Sequence, residues 1–245
     1  MVRNLKVLGL ALVAMFALTA VAASVASAQQ GKISTDGPVT LKGEETGVAA
    51  NSLTAFGLKV ECPGSSYTGH KYNVTPHGFI ANGETTATLS PKYKEEAENC
   101  KVTPGNFIAT IDMNGCDYVI HLGVTTGGVA NTYGVTFDVV CPVGKEITLT
   151  IWTNAVDHTT VGKAPFCVQH VPPQTGLLGA HATDTKNGHI DLTGTVEGIK
   201  VTESASATHP VLCPKKETLA GKFDLDVTVK GLNEAGGATS IGISE

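Results

Sequence analysis

Phe223-Asp224-Leu225-Asp226-Val227-Thr228-Val229 (FDLDVTV) is apolar at every odd position and polar at every even one. Successive side chains leave opposite faces of an extended strand, so this alternation reads as a β-strand with one buried and one wet face. The stretch EITLTIW repeats the pattern with Ile147, Leu149 and Ile151, and HIDLTGTVEG repeats it with Ile190, Leu192 and Val196. After Gly198 the apolar phase moves to Ile199 and Val201, as an inserted β-bulge residue would make it do. Gly, Thr, Asn and Pro fill the gaps, and no helical stripe follows residue 28. The chain therefore reads as all-β: an antiparallel, β-sandwich-like fold of the immunoglobulin-like class of architecture.

The first 28 residues stand apart from that fold. Arg3 and Lys6 precede an apolar run, and Ala26-Ser27-Ala28 ends it with small residues, the pattern of a cleaved signal peptide. Cleavage there leaves 29–245, read as one all-β unit, with two packed half-units, 33–154 and 155–245, as the alternative. That alternative rests on Gly57-Leu58-Lys59-Val60 and Gly198-Ile199-Lys200-Val201, near copies that each precede a Cys-Pro pair. The later sequence holds no apolar run of the ~20 residues a spanning helix needs, so no membrane association is expected after cleavage. Without Arg3 and Lys6 the chain carries 15 basic and 22 acidic residues, and the lysines are scattered. Nucleic acid is not an expected partner, because phosphate binding depends on clustered positive charge.

Cys62, Cys100, Cys116, Cys141, Cys167 and Cys213 all follow the leader. An even count in an exported chain reads as disulfides. Zinc sites bring cysteines two to four residues apart, whereas the closest pair here, Cys100 and Cys116, is sixteen apart. Asn114-Gly115 reads as a two-residue hairpin turn, which would set Ile111 opposite Tyr118 and Ala109 opposite Ile120. Folding the next loop about its centre sets Tyr118 opposite Val139, Ile120 opposite Phe137 and Leu122 opposite Val135, and therefore Cys116 opposite Cys141. A third hairpin across PVGKE would set Val139 beside Leu149 and Phe137 beside Ile151. The other four cysteines pair most simply as Cys62–Cys100 and Cys167–Cys213, and the remaining connectivities stay open, since pairing does not follow from spacing.

The chain carries no HExxH, GxSxG or P-loop string. Asp157-His158-Thr159 is read as a chance cluster in a loop, because triads are defined by geometry. His121 and His189 read as exposed strand residues. Asp112, Asn114 and Asp117 surround a glycine turn and are the weak candidates for a metal, although the regular positions of a calcium loop are missing. Asp224 and Asp226 share an outer strand face, where carboxylates mainly keep the surface wet. Tyr67, Tyr72, Phe79, Tyr93 and Trp152 are the aromatics left to line a surface, with Trp152 the candidate binding residue.

The leader, Asn114-Gly115-Cys116-x-Tyr118, Cys141-Pro142-x-Gly144-Lys145 and Gly198-Ile199-Lys200-Val201 together resemble a group of small exported proteins of high-GC Gram-positive soil bacteria. That resemblance implies secretion and a disulfide-bonded β fold, and supplies no catalytic residue or cofactor. The expected role is accordingly a non-enzymatic binding or structural one, outside the cell or on its surface, with a cell-wall or extracellular glycan or further copies as partner. The alternatives are a secreted hydrolase whose site assembles only in space, and a self-assembling surface or filament subunit using an unpaired edge strand near PVTLKG, Pro38 to Gly43.

Overall fold

The computed structural model describes residues 29–46, 51–72, 78–93, 100–126, 129–154, 159, 163–204, 213 and 215–245. The leader at 1–28 and the Asp157-His158 pair lie outside the described residues. No helix among the described residues is long and apolar enough to cross a membrane.

The described residues form antiparallel β-strands whose pairing closes on itself twice. One circuit contains β2 (Thr40–Glu45), β5 (Ser66–Lys71), β6 (Thr86–Lys92), β9 (Asp117–Thr125), β10 (Thr132–Val140) and β13 (Gln174–Asp184). The second contains β3 (Asn51–Ala55), β4 (Leu58–Cys62), β7 (Cys100–Thr103), β8 (Phe107–Asp112), β11 (Ile147–Trp152) and β12 (Cys167–Val171). Two long strands, β14 (His189–Ser204) and β15 (Lys216–Leu232), complete both circuits. The short strand β16 (Ala238–Thr239) extends the end of β15, while β1 (Lys32–Thr35) pairs with β17 (Ile241–Ser244). The stretch FDLDVTV lies within β15, with Leu225, Val227 and Val229 buried.

The chain visits the circuits alternately, one hairpin at a time. The pairs β3–β4, β7–β8 and β11–β12 are hairpins of one circuit, and β5–β6 and β9–β10 of the other. Inward side chains from both circuits form one continuous hydrophobic cluster, to which strands on either side of residue 154 contribute. Each fully buried large apolar side chain contributes about 1.5–3 kcal/mol, so a period-two chain gains most by closing its wet-edged sheets around one interior.

Three disulfides join Cys62 to Cys100, Cys116 to Cys141 and Cys167 to Cys213. The first two sit where the chain leaves one circuit for the other, fastening successive crossovers together. The β9–β10 register sets Tyr118 opposite Val139, Ile120 opposite Phe137 and Leu122 opposite Val135, as the alternation predicts. The β14–β15 ladder shifts register around Gly198, whose φ of 77° suits the bulge residue.

Two of the hairpins expected from the sequence do not form. Asn114 and Gly115 do make a tight turn with φ of 51° and 78°, closed by Cys116 N donating to Met113 O at 2.7 Å. Yet β8 pairs with β7 and β11, and β9 with β6 and β10. The turn through Pro142 and Lys145 likewise sends β10 and β11 to different neighbours. Ile111 and Tyr118, or Val139 and Leu149, are therefore not ladder neighbours: they line the same interior space from different circuits. Alternation fixes the face of a side chain and leaves its partner strand open.

The edge strand expected near PVTLKG is absent too. Thr40–Glu45 pairs with β15 on one side and β5 on the other, so its backbone groups are already engaged.

Candidate functional site

Where the two circuits meet, the packing leaves an apolar cavity of about 50 Å³. Leu53, Val60, Ile111 and Leu149 wall it from one circuit, and Tyr118, Phe137, Val139 and Leu177 from the other. Val196, Ile199 and Phe223 reach it from the shared strands. The bulge at Gly198 matters here, because it lets Val196 and Ile199 face inward although they are three residues apart. Cys62 also borders the space, so the Cys62–Cys100 bridge forms part of its wall.

One side of this cavity is polar. Asn51, Tyr93 and Tyr118 line it, and the Tyr93 and Tyr118 hydroxyls lie 3.2 Å apart. Tyr67 stands behind them, and its hydroxyl is bonded to Asn51. Asn51 Nδ2 donates to Tyr67 Oη at 2.9 Å and to Ser65 Oγ at 2.7 Å. Its Oδ1 accepts from Asp226 N at 2.8 Å, and its own amide N donates to Glu45 Oε1 at 2.5 Å. Glu45 Oε2 in turn accepts from the backbone amides of Gly64 and Ser65. Burial raises the pKa of all three phenols, so they stay protonated and keep their hydrogen-bonding protons. Buried polar groups satisfied in this way specify a packing, and they also offer recognition chemistry.

Outside the cavity lies a cleft of about 460 Å³, bordered by Pro91, Lys92, Asp112, Met113, Asn114 and Gly115. Tyr93 and Ile111 border both spaces and form the partition between them.

The residues singled out in the sequence are mostly placed elsewhere. Asp112 Oδ1 accepts from Asn114 N at 2.8 Å, and Asn114 Nδ2 donates to Glu146 O at 2.9 Å. Asp112 and Asn114 brace a turn in this way, and Asp117 begins β9 just beyond it. The group among the described residues with metal-ligand spacing is Cys167, Glu203 and Cys213, whose two sulfurs are bonded to each other. Trp152 ends β11 half-buried, opposite Ile108. Tyr67, read as a surface aromatic, is only 2% exposed because its ring enters the core. Tyr93 turns its hydroxyl inward, while Tyr72 and Phe79 are 43% and 40% exposed. Asp224 accepts from Ser52 Oγ and Thr195 Oγ1 at 3.0 and 2.7 Å.

Two histidines stand between a carboxylate and a hydroxyl. His170 lies 2.9 Å from both Glu146 Oε1 and Ser204 Oγ. His121 lies 3.0 Å from Asp138 Oδ2 and 3.2 Å from Thr86 Oγ1. His121 and His189 are thus half-buried and near carboxylates, less open than the alternation suggests, with His189 3.9 Å from Asp191. Nothing local in the sequence signals these groups, since their members come from separate strands. The tyrosine network is hidden for the same reason.

Comparison of this chain with protein-family models, with curated proteins and with solved structures gave no match.

Proposed function

We propose that this protein is exported, works outside the cell or on its surface, and has a non-enzymatic binding role centred on the cavity between the two circuits. The observation that carries this reading is a small apolar space with a hydrogen-bonding wall, built jointly by strands of both circuits. An apolar lining with few, placed polar groups is typical of small-molecule sites, and a space of about 50 Å³ suits only a very small ligand. Three disulfides favour an oxidising compartment, and the leader-like first 28 residues and the resemblance to exported soil-bacterial proteins point the same way.

Xenon is a suitable probe, because it is small enough for a space of about 50 Å³ and enters dry cavities lined by aliphatic and aromatic side chains. Titration followed by methyl NMR is expected to shift Leu53, Val60, Val139 and Leu149 together, and to leave Leu219 on the surface unchanged. Shifts spread evenly over the protein, or none, would remove the reading.

A second reading, a hydrolase, is favoured by the Glu146–His170–Ser204 arrangement. Ser204 would supply the nucleophile and His170 the base, while Glu146 lies 2.9 Å from His170 Nδ1 without hydrogen-bonding geometry and would contribute its charge. Ser204 and His170 lie on the outer face of a sheet, whereas hydrolytic sites are concave, so this reading ranks second. Covalent labelling by a fluorophosphonate, abolished in Ser204→Ala and His170→Ala, would raise it above the first.

A further inference from the structure

Resting on the export reading, we infer that the mature chain begins at Gln29 and that this residue cyclises to pyroglutamate, closing the N-terminus beside β1 and β9.

The cleavage pattern and the start of the fold meet at one place. Ala26-Ser27-Ala28 presents small residues for cleavage after Ala28, which makes Gln29 the new first residue. The fold takes hold of the chain at the next position. Gln30 bridges to Val124, and its Nε2 donates to the Leu122 carbonyl at 2.8 Å. Gly31 N donates to Gly123 O at 2.8 Å, and from Lys32 onward the chain is β1. Gln29 itself is exposed, and no partner among the described residues holds it.

That division decides which glutamine reacts. Once Ala28 is removed, Gln29 carries a free α-amine and a side-chain amide on one residue. An α-amino group titrates near pH ~8, so a neutral, nucleophilic fraction exists at neutral pH. The amine nitrogen attacks the side-chain carbonyl carbon, the bond from that carbon to the amide nitrogen breaks, and ammonia leaves. A lactam ring remains. Both reacting groups belong to the same residue, so the step is intramolecular and needs no cofactor or second substrate. Gln30 cannot react in this way, because its nitrogen lies in a peptide bond and its side chain is engaged on β9.

The ring removes the ammonium group from which aminopeptidases begin, and what lies behind it is β1. Ile33 is buried, its N donates to Glu84 O at 2.7 Å, and β1 pairs along its length with the C-terminal strand β17. Trimming from the N-terminus would remove the bonds of Gln30 and Gly31 first and then open this pairing. A closed first residue preserves it among extracellular peptidases.

The test is intact mass spectrometry of the full protein recovered from outside the cell, denatured and reduced. The expected mass is that of residues 29–245 less about 17 Da, the ammonia lost. Pyroglutamyl aminopeptidase is expected to remove one residue and leave Gln30 first. Gln30→Ala is expected to keep the deficit. Gln29→Ser is expected to lack it and to be shortened by a general aminopeptidase that leaves wild type whole. Equal resistance of the two would overturn the protective role. A chain that begins at Gln29 and keeps its amine after prolonged incubation would overturn the inference and leave the export reading standing, as would a mature chain beginning at another residue beyond the leader. A chain retained in the cell and still beginning at Met1 would sink both.

Discussion

Asn114 Nδ2 donates to the carbonyl of Glu146 at 2.9 Å, joining two turns that lie 32 residues apart in the chain. Each turn carries the chain from one circuit to the other, and the Cys116–Cys141 bridge lies between them. A side-chain bond and a covalent bond thus hold the same pair of crossovers, where no backbone ladder joins β8 to β9 or β10 to β11.

That placement separates two contributions of Asn114. Asn114→Ala loses the amide hydrogen bond, about 0.5–1.5 kcal/mol, and adds the cost of a Cβ at positive φ without asparagine's local hydrogen bonding, about 1–2 kcal/mol. Asn114→Gly loses only the first. Urea denaturation is expected to rank wild type above Asn114→Gly and Asn114→Gly above Asn114→Ala. Equal midpoints for the two variants would show that the φ of 51° costs nothing here.

Removing the staple tests the crossover from the covalent side. The Cys116→Ser/Cys141→Ser double variant is expected to lose about 2–4 kcal/mol of stability. Mass spectrometry of the denatured wild-type protein should show a mass about 6 Da below that of the fully reduced chain, the hydrogens lost in forming the three bridges.

Asp184 anchors the C-terminal strand. Its carboxylate accepts from Lys186 N and Lys186 Nζ, each at 2.8 Å, and from Ile243 N at 2.9 Å. Burial by itself would raise its pKa, but these bonds, with the Lys186 charge, hold it below the ordinary value of 3.8. A depressed carboxyl pKa stabilises the fold above the unfolded value, and that stability is lost as pH falls through the folded one. Asp184→Asn is therefore expected to cost about 1–3 kcal/mol at pH 7 and to differ little from wild type once the pH is below the folded pKa. A pH series of thermal melts checks it, and a difference independent of pH would contradict the assignment.

Glu203 has the opposite sign. It is buried opposite Gln169, and burial raises its pKa above 4.5 against the opposing pull of Lys216. The carboxyl then favours the fold while protonated, below the unfolded value, and that contribution disappears as pH rises through the folded one. Glu203→Gln is expected to melt on the order of 2–4 °C higher than wild type at pH 8, with the gain vanishing below pH about 4. A lower melting point at pH 8 would show that the Lys216 pair, 3.7 Å away, outweighs the burial.

How much of this was legible follows from what alternation encodes. Period two identified β8, β9, β10, β11, β14 and β15, placed Tyr118, Phe137 and Leu149 on the core side, and located the bulge at Gly198 from one change of phase. The β9–β10 register followed as well, because a single loop joins those strands and a one-residue slip would turn every apolar residue outward. Asn114-Gly115 was rightly a turn and wrongly a hairpin, since turn chemistry sets two dihedral pairs and says nothing about which sheet receives the next strand.

The sequence by itself therefore determined the strand class, the inward faces of the strands with clear alternation such as β9, β10, β11 and β15, and the cysteine pairing at the β9–β10 ladder, all from interactions between residues whose spacing the chain dictates. Tertiary structure alone decided the closure into two circuits on β14 and β15, the cavity between them, and the meeting of Asn51, Tyr67, Tyr93 and Tyr118. Those features depend on which strands exchange backbone hydrogen bonds. Any strand can offer the same N–H and C=O groups to any other, so only the packing of the whole interior chooses among the pairings.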